Sequence, residues 1–296
     1  LAGLALQGFP SPTMPGIPGM NDAFRFQVKL WGTRGSLPVS GPMFRQFGGN
    51  TICIELRLGE HVVFIDAGSG LLPAGAALNF EGHSDVALFL THCHYDHVIG
   101  LPFFMPLYGN GPSVTISSGH LAGISTTHDI LCGLMRQPYF PVGPEICSTC
   151  LKTLDFTPGD VLAPFPGIVM RTGALNHPGN AVGYRVEWGG RAVAIITDTE
   201  HVPGRLDPVV LDLIRDADLL LYDASYTDEE FDRFRGFGHS TWQEAVRLAK
   251  AANARQVGMI HHATWRTDAA LTGLERLARA SFAGAFFGRD LQVIDI

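Results

Sequence analysis

The segment Val86–His97, VALFLTHCHYDH, decides the fold and the site. Val86–Thr91 is a short run of apolar and β-branched residues, a pattern typical of a buried strand. The remainder places four potential metal ligands within six residues, where the strand ends and a helix is predicted to begin. Imidazoles and carboxylates together suit zinc and other transition metals. The segment therefore indicates a metal site rather than a polar loop with incidental histidines. The four ligands are His92, His94, Asp96 and His97.

Other predicted strands also end close to a histidine or an aspartate. These residues are His177, Asp198 and His261. A single strand-end histidine is most often solvated or hydrogen-bonded locally, but three such residues in this order favour delivery of ligands to one shared edge. Asp66 follows the predicted strand His61–Ile65 and is interpreted as an acceptor that orients a ligand imidazole or a metal-bound water. The alternative is a turn-forming role for Asp66.

At these positions the sequence resembles the metallo-β-lactamase-fold hydrolases, from Trp31 to about Leu271. The box HCHYDH carries the resemblance, together with the later order of His, Asp and His. The implied fold is α/β (α+β), a four-layer αββα sandwich of two mixed sheets. The implied ligands are His92, His94 and His177 for one metal, Asp96, His97 and His261 for a second, and Asp198 as a bridge between them.

Two further segments are similar to ribonuclease Z and the related phosphodiesterases, whose bacterial members are called class II cyclic-AMP phosphodiesterase-like. They are Leu219–Ser225, LLLYDAS, and Gly238–Thr241, GHST. In that branch an acidic residue and the histidine of the His-Ser-Thr motif form a dyad beside the metals. The resemblance therefore implies Asp223 and His239 as a catalytic pair. The alternative for His239 is a helix-cap residue, because the next two residues begin a predicted helix.

The motifs predict a dinuclear metal-dependent hydrolase, with a phosphodiesterase acting on a cyclic nucleotide or another small phosphodiester as the favoured activity. A hydroxide bridging two divalent ions, zinc first and iron or manganese next, would attack phosphorus beside Asp96. His239, held by Asp223, would protonate the leaving group. Arg34 lies between two glycines, as a candidate phosphate contact or a solvent-exposed residue. Hydrolysis of a lactone, ester or β-lactam on the same ligands, and a non-catalytic metal-binding protein, stay open as alternatives.

Composition limits the partners. The 296 residues are 46% hydrophobic and 17% charged, which excludes disorder over most of the chain. A formal charge of −7 and only three lysines argue against extended nucleic acid, so a small-molecule phosphodiester is the expected partner. No apolar run approaches the roughly 20 residues of a membrane span, so no membrane partner is expected. The resemblance also allows a homodimer.

The chain is expected to form one hydrolase domain over residues 24–296, preceded by a flexible leader or cloning remnant over residues 1–23. Five cysteines form no disulfide framework, so a cytoplasmic protein is expected, and pairing of Cys147 with Cys150 stays open. Ten short strands are predicted among four helices. The helices are Leu71–Phe80, Leu206–Arg215, Thr241–Ala252 and Asp268–Ser281.

Overall fold

The computed structural model describes residues 25–78, 85–108, 112–147 and 151–296. The predicted leader, residues 1–23, and Cys150 lie outside these described residues. The strands within them are β1 Phe26–Gly32, β2 Cys53–Leu58, β3 His61–Ile65, β4 Asp85–Leu90, β5 Ser113–Ser118, β6 Leu151–Asp155, β7 Val161–Leu162, β8 Val169–Leu175, β9 Ala181–Trp188, β10 Arg191–Ile196, β11 Leu219–Asp223, β12 Gln256–Ile260, β13 Ala285–Phe287 and β14 Val293–Asp295. The α-helices are α1 Leu71–Leu78, α2 Tyr95–Val98, α3 Thr127–Leu134, α4 Pro208–Ile214, α5 Asp228–Phe231, α6 Trp242–Ala251 and α7 Asp268–Ser281.

The strands form two seven-stranded sheets. The first has the order β14-β1-β2-β3-β4-β5-β6, and the second has the order β13-β12-β11-β10-β9-β8-β7. Both sheets are mixed. Strands β3 to β6 run parallel, as do β10 to β13, while the remaining neighbours pair antiparallel.

Three apolar layers hold these sheets and helices together. The layer between the sheets contains side chains from both, including Leu30, Ile54, Tyr184 and Ile195, all fully buried. A second layer packs α4, α6 and α7 against the outer face of the second sheet, and a third packs α1 against the first sheet. The predicted αββα sandwich of two mixed sheets is therefore confirmed. None of the helices in the described part of the chain is long and apolar enough to cross a membrane.

The sequence predicted the interior of each sheet and missed its borders. The four predicted helices correspond to α1, α4, α6 and α7, and the ten predicted strands correspond to the strands with neighbours on both sides. The four unpredicted strands, β6, β7, β13 and β14, are the edge strands of the two sheets. Three of them, β7, β13 and β14, are only two or three residues long, which is too short for a periodic pattern, and β6 is largely exposed.

Three polar residues that directly follow parallel strands have an unusual backbone conformation. Asp66 after β3, Asp198 after β10 and His261 after β12 have φ angles of 62°, 56° and 60°. A left-handed conformation at a residue other than glycine is strained and is concentrated at functional sites. Because parallel strands end at the same edge, these turns direct the three side chains towards one region.

Candidate metal centre

The first sheet contributes four residues to this region from a single strand end. His92 and His94 follow β4, and Asp96 and His97 lie in α2. The His92 ring centroid lies 4.4 Å from that of His94 and 4.2 Å from that of His97. The turn from strand to helix thus gathers the histidine-rich segment into one cluster.

The second sheet contributes His177, Asp198 and His261 to the same cluster. His177 Nε2 lies 3.1 Å from Nδ1 of His94. Asp198 Oδ1 lies 3.2 Å from Nε2 of His97. His261 Nε2 lies 3.3 Å from Asp198 Oδ2. The structure therefore brings together all seven ligands that the resemblance implied.

The ligand atoms divide into compact groups whose members all lie within 4.8 Å of one another. One group is His92, His94 and His177, and another is Asp96, His97 and His261. Asp198 groups with His92 and His97, and also with His261, Asp223 and His239. This is the pattern of two neighbouring ligand sets with one carboxylate between them.

Four of the histidines use Nδ1 for a bond away from the cluster. The partners are Thr91 Oγ1 for His92 at 3.1 Å, Asp66 Oδ2 for His97 at 2.8 Å, the Gly238 carbonyl for His177 at 2.8 Å, and Ser225 Oγ for His261 at 2.9 Å. Such bonds select the tautomer and orient metal-ligating imidazoles. In each case Nε2 is left facing the other ligands. Asp66 is thus placed as a support for His97.

Two of these inward-facing atoms test whether the cluster fits a metal. Nε2 of His92 is buried and has no hydrogen-bond partner, and Nε2 of His97 is buried facing carboxylate oxygens of Asp96 at 3.3 Å and Asp198 at 3.2 Å. A buried polar atom without a partner costs about 1–3 kcal/mol. Imidazole nitrogens in this position are satisfied by a cation, so the residues present fit divalent metal ions.

The charges within the cluster also fit a bound metal ion. Burial alone would raise the pKa of Asp198, but the imidazoles of His261 and His97 hold it well below its ordinary value. Burial alone would lower the pKa of His261, yet the carboxylates of Asp198, Asp96 and Asp223 raise it to about 9. The buried carboxylates therefore attract positive charge strongly.

The predicted dyad stands beside the ligands. His239 Nδ1 lies 2.9 Å from Asp223 Oδ2, and the His239 ring stacks 4.5 Å from that of His261. Asp223 also accepts a hydrogen bond of 2.9 Å from Ser225 Oγ. The helix-cap alternative for His239 is not what the structure shows, because Thr241 is the N-cap of α6 and accepts from the Glu244 amide.

An open cavity of about 290 Å³ gives access to the cluster. The residues lining it are Ser36, Cys93, His94, Tyr95, Asp96, Asp198 and His239. The Ser36 amide donates a 2.7 Å hydrogen bond to Asp96 Oδ2, which fixes that carboxylate. The cavity therefore opens onto both the candidate metal ligands and His239.

Glu200 is a residue of the site that the sequence analysis missed. Its Oε2 atom accepts from the amides of Gly236 at 2.6 Å and Gly238 at 3.0 Å. Gly238 has a φ of 85°, and a Cβ there would lie 2.3 Å from His177, so the loop needs glycine. Glu200 thereby fixes the loop that carries His239. Its position two residues after Asp198 was the available signal.

Arg34 requires a correction. The sequence suggested either a phosphate contact or a solvent-exposed side chain, but the guanidinium is fully buried. It donates to the carbonyls of Gly48 at 2.8 Å and Arg266 at 2.7 Å. Arg34 therefore joins loops behind the site and is not among the residues that line the cavity.

His120 is a second residue that the sequence analysis passed over. It follows β5, is buried, and has no hydrogen-bond partner for either ring nitrogen. Burial lowers the pKa of His120 to about 4, and the nearby His94 adds to this shift. A neutral imidazole therefore stands close to the cluster without belonging to the ligand groups.

Comparison with known proteins identifies the family. Residues 61–262 match the family described as the beta-lactamase superfamily domain. The chain therefore belongs to the metallo-β-lactamase superfamily, and its His and Asp cluster makes it a metal-dependent hydrolase of that fold.

Its place within the superfamily is the ribonuclease Z-like branch, as the sequence motifs indicated. Ribonuclease Z of Pediococcus pentosaceus is 24% identical over 301 residues, covering 83% of this chain and 94% of that protein. Further ribonuclease Z relatives are 23% to 29% identical.

Two solved structures share the fold. The metallo-β-lactamase fold protein YhfI from Bacillus subtilis has a TM-score of 0.72 and 19% identity, covering 92% of this chain and 100% of that one. Zn(2+)-bound PqqB from Methylobacterium extorquens has a TM-score of 0.68 and 17% identity, covering 91% and 100%.

Proposed function

We propose that the protein is a phosphodiesterase that hydrolyses small phosphodiesters with a pair of divalent metal ions. The observation that carries this proposal is the position of His239. Its ring lines the cavity beside Asp198, and Asp223 holds its Nδ1 atom at 2.9 Å. An imidazole held in this way can deliver a proton from Nε2. A phosphodiester with an alkoxide leaving group needs such a proton donor.

The metal ions would be held by the two ligand groups described above, with Asp198 between them. When bound, the pair would polarise the phosphoryl oxygens and lower the pKa of the attacking water. Zinc is the first candidate, and iron or manganese the next, because imidazole and carboxylate bind all three. Two divalent ions exceed the charge of Asp96 and Asp198, so the site favours an anionic phosphodiester over a neutral amide.

The residues of the chain supply the proton transfer and the positioning that hydrolysis needs. A bond forms between a water oxygen and phosphorus as the bond to the leaving oxygen breaks. The water gives up a proton to solvent, while His239 gives its proton to the leaving oxygen and regains one from solvent. Asp223 keeps the imidazole in the required tautomer, and Ser36 holds Asp96 in place. None of the described residues lining the cavity is Lys or Arg, so the substrate's negative charge is left to the metal ions.

Hydrolysis of bis(p-nitrophenyl) phosphate tests the reaction class. Metal-loaded protein should hydrolyse it, lose the activity to a chelator, and recover it when zinc is restored. Much faster turnover of nitrocefin or of a lactone would instead identify a β-lactam or lactone hydrolase. Two metal ions per chain with no turnover of any of these substrates would favour a non-catalytic metal-binding protein.

The ribonuclease Z relatives favour a second candidate, cleavage of RNA. The formal charge of −7 and the three lysines weigh against it, because RNA binding depends on basic side chains that displace counterions. A single-stranded RNA oligonucleotide compared with bis(p-nitrophenyl) phosphate separates the two. Preferred cleavage of the RNA, with a steep loss of rate as salt is added, would support the ribonuclease.

A further inference from the structure

Four aromatic side chains form a cluster next to His239. We call Tyr226, Phe234, Phe237 and Trp265 the aromatic platform. The Tyr226 and Phe234 rings stack at 4.5 Å and 8°, and the Phe234 and Trp265 rings at 5.5 Å and 22°. Tyr226 and Trp265 are also close to parallel, at 6.3 Å and 14°. Three of the four rings thus share nearly one orientation.

The outer members of the platform are too exposed to be part of the hydrophobic core. Trp265 is 51% exposed and Phe237 is 63% exposed, whereas Tyr226 beneath them is 5% exposed. Exposed aromatic clusters on soluble proteins mark binding sites. The platform therefore has a buried base and a free outer surface.

The platform is joined to the catalytic residues on the side of His239. The Tyr226 ring lies 6.0 Å from the His239 ring in an edge-to-face arrangement. Trp265 comes four residues after His261. The carbonyl of the next residue, Arg266, accepts a hydrogen bond from Arg34. Arg34 is two residues before Ser36, which lines the cavity. The platform therefore lies next to the cavity on the side of His239.

Two of the three arginines around the platform are paired with carboxylates. Arg266 forms an ion pair with Glu230, and Arg235 bonds Asp232 at 2.5 Å. The Arg233 guanidinium lies 5.3 Å from the centre of the Phe234 ring, where it adds a cation–π contact. The platform thus presents flat ring faces to a ligand, with the Arg233 guanidinium beside one of them.

We propose that the aromatic platform is a subsite for a planar heterocycle carried by the leaving alcohol of the substrate. This inference rests on the proposed phosphodiesterase function and specifies its substrate class as a nucleoside phosphodiester. A nucleobase stacks on an aromatic side chain whatever its identity, because every base has a flat π-face. Trp265 is the specificity-determining residue, since it combines the largest ring with a free outer side.

Competitive inhibition of bis(p-nitrophenyl) phosphate hydrolysis tests the subsite. Adenosine 5′-monophosphate and ribose 5-phosphate share a phosphate and a sugar and differ in the base. We expect the nucleotide to have an inhibition constant about 10- to 100-fold lower in the natural protein, the range expected for base stacking. Trp265→Ala should make the two inhibition constants similar, because it weakens inhibition by the nucleotide alone. Trp265→Phe should restore most of the preference for the nucleotide.

Trp188→Ala is the matched control. Trp188 packs against Phe26 at the hairpin between β9 and β10, at the opposite end of β10 from Asp198. This variant should keep the full preference for the nucleotide. Equal inhibition by the two compounds in the natural protein, or an unchanged ratio in Trp265→Ala, would overturn the subsite.

A calorimetric measurement keeps the subsite and the proposed function separable. Binding of the same two compounds to metal-loaded protein needs no turnover. Tighter binding of the nucleotide that depends on Trp265, in a protein that hydrolyses no phosphodiester, would contradict the proposed function while supporting the subsite. Hydrolysis of phosphodiesters without any preference for the base would do the reverse.

Discussion

The two halves of the metal centre are built in different ways. In the first-sheet half, His92, His94, Asp96 and His97 follow one strand and are gathered by a single turn into α2. In the second-sheet half, His177, Asp198 and His261 come from three separate strand ends. The first half needs only local geometry, whereas the second needs the register of the five neighbouring strands β8 to β12 to be correct. Substitutions that act on one half at a time test this difference.

Asp198→Ala should have the largest effect, because Asp198 stands between the two ligand groups. Hydrolysis of bis(p-nitrophenyl) phosphate should fall by on the order of 10³-fold or more, together with the metal content. Elemental analysis and steady-state rates measure the two effects. Asp212→Ala, which removes an exposed aspartate of α4, is the control and should change neither. Full metal content and activity in Asp198→Ala would show that the two halves act independently.

His239→Ala separates chemistry from metal binding. The imidazole bonds Asp223 and lines the cavity, so its loss should lower kcat for a phosphodiester with an alkoxide leaving group by about 10²- to 10³-fold while the metal content stays unchanged. Asp223→Asn should give a smaller loss of the same kind. A variant that loses its metal would make His239 a ligand instead of a proton donor.

The difference between the halves also explains what the sequence could predict. The box at 92–97 can be recognised in the sequence because its ligands are adjacent. The interior strands can be recognised because they are buried on both faces and therefore apolar. The second-sheet ligands are identifiable only by their order along the chain and by resemblance to a family. The edge strands were missed because β7, β13 and β14 are too short to show a periodic pattern and β6 is largely exposed.

Contacts between residues that lie far apart in the sequence could not be predicted from it. Glu200 supports the His239 loop through two backbone amides, and Ser225 bonds His261 from a neighbouring strand end. Both residues lie within two positions of a predicted site residue, Asp198 or Asp223, but the sequence does not show which distant group each one bonds. Arg34 was misjudged for the same reason, because burial by loops distant in sequence turned a candidate phosphate contact into an internal support.

The supports of the two halves can be compared directly. Asp66→Asn weakens the bond to Nδ1 of His97 in the first half, and Ser225→Ala removes the bond to Nδ1 of His261 in the second. Loss of such a partner lowers metal affinity by about 10- to 100-fold. Chelator titrations of both variants should show the larger loss in Asp66→Asn, because Asp66 is charged and also bonds Thr91. Equal losses would mean that the two halves are equally rigid.

Glu200→Ala should perturb the second half more gently. Without the carboxylate, the Gly236 and Gly238 amides lose their acceptor and the loop bearing His239 loosens. We expect kcat to fall by about tenfold, with KM and metal content nearly unchanged. Glu200→Gln keeps an oxygen acceptor and should recover most of the rate. Failure of the glutamine variant to do so would assign the effect to the charge of Glu200 rather than to its hydrogen bonds.

The smallest expected effect concerns Asp290, a carboxylate that lies outside the metal ligands. It accepts from the amides of Gly49 and Asn50, with Arg34 as the nearby positive charge. Burial raises the pKa of Asp290 to about 6, the reverse of what the imidazoles do to Asp198. The folded protein therefore holds a proton that the unfolded chain has released, so stability falls as the pH rises from about 4 through 6.

Asp290→Asn removes this titration and should abolish that part of the pH dependence. The stability of the variant relative to the natural protein should rise by on the order of 1–2 kcal/mol between about pH 4 and pH 7. Urea unfolding of metal-free protein measures it, and the histidine titrations cancel because both proteins share them. Asp212→Asn, an exposed counterpart, should show no such change. Parallel pH profiles for Asp290→Asn and the natural protein would mean that Asp290 is already ionised in the folded state, with the nearby Arg34 guanidinium offsetting its burial.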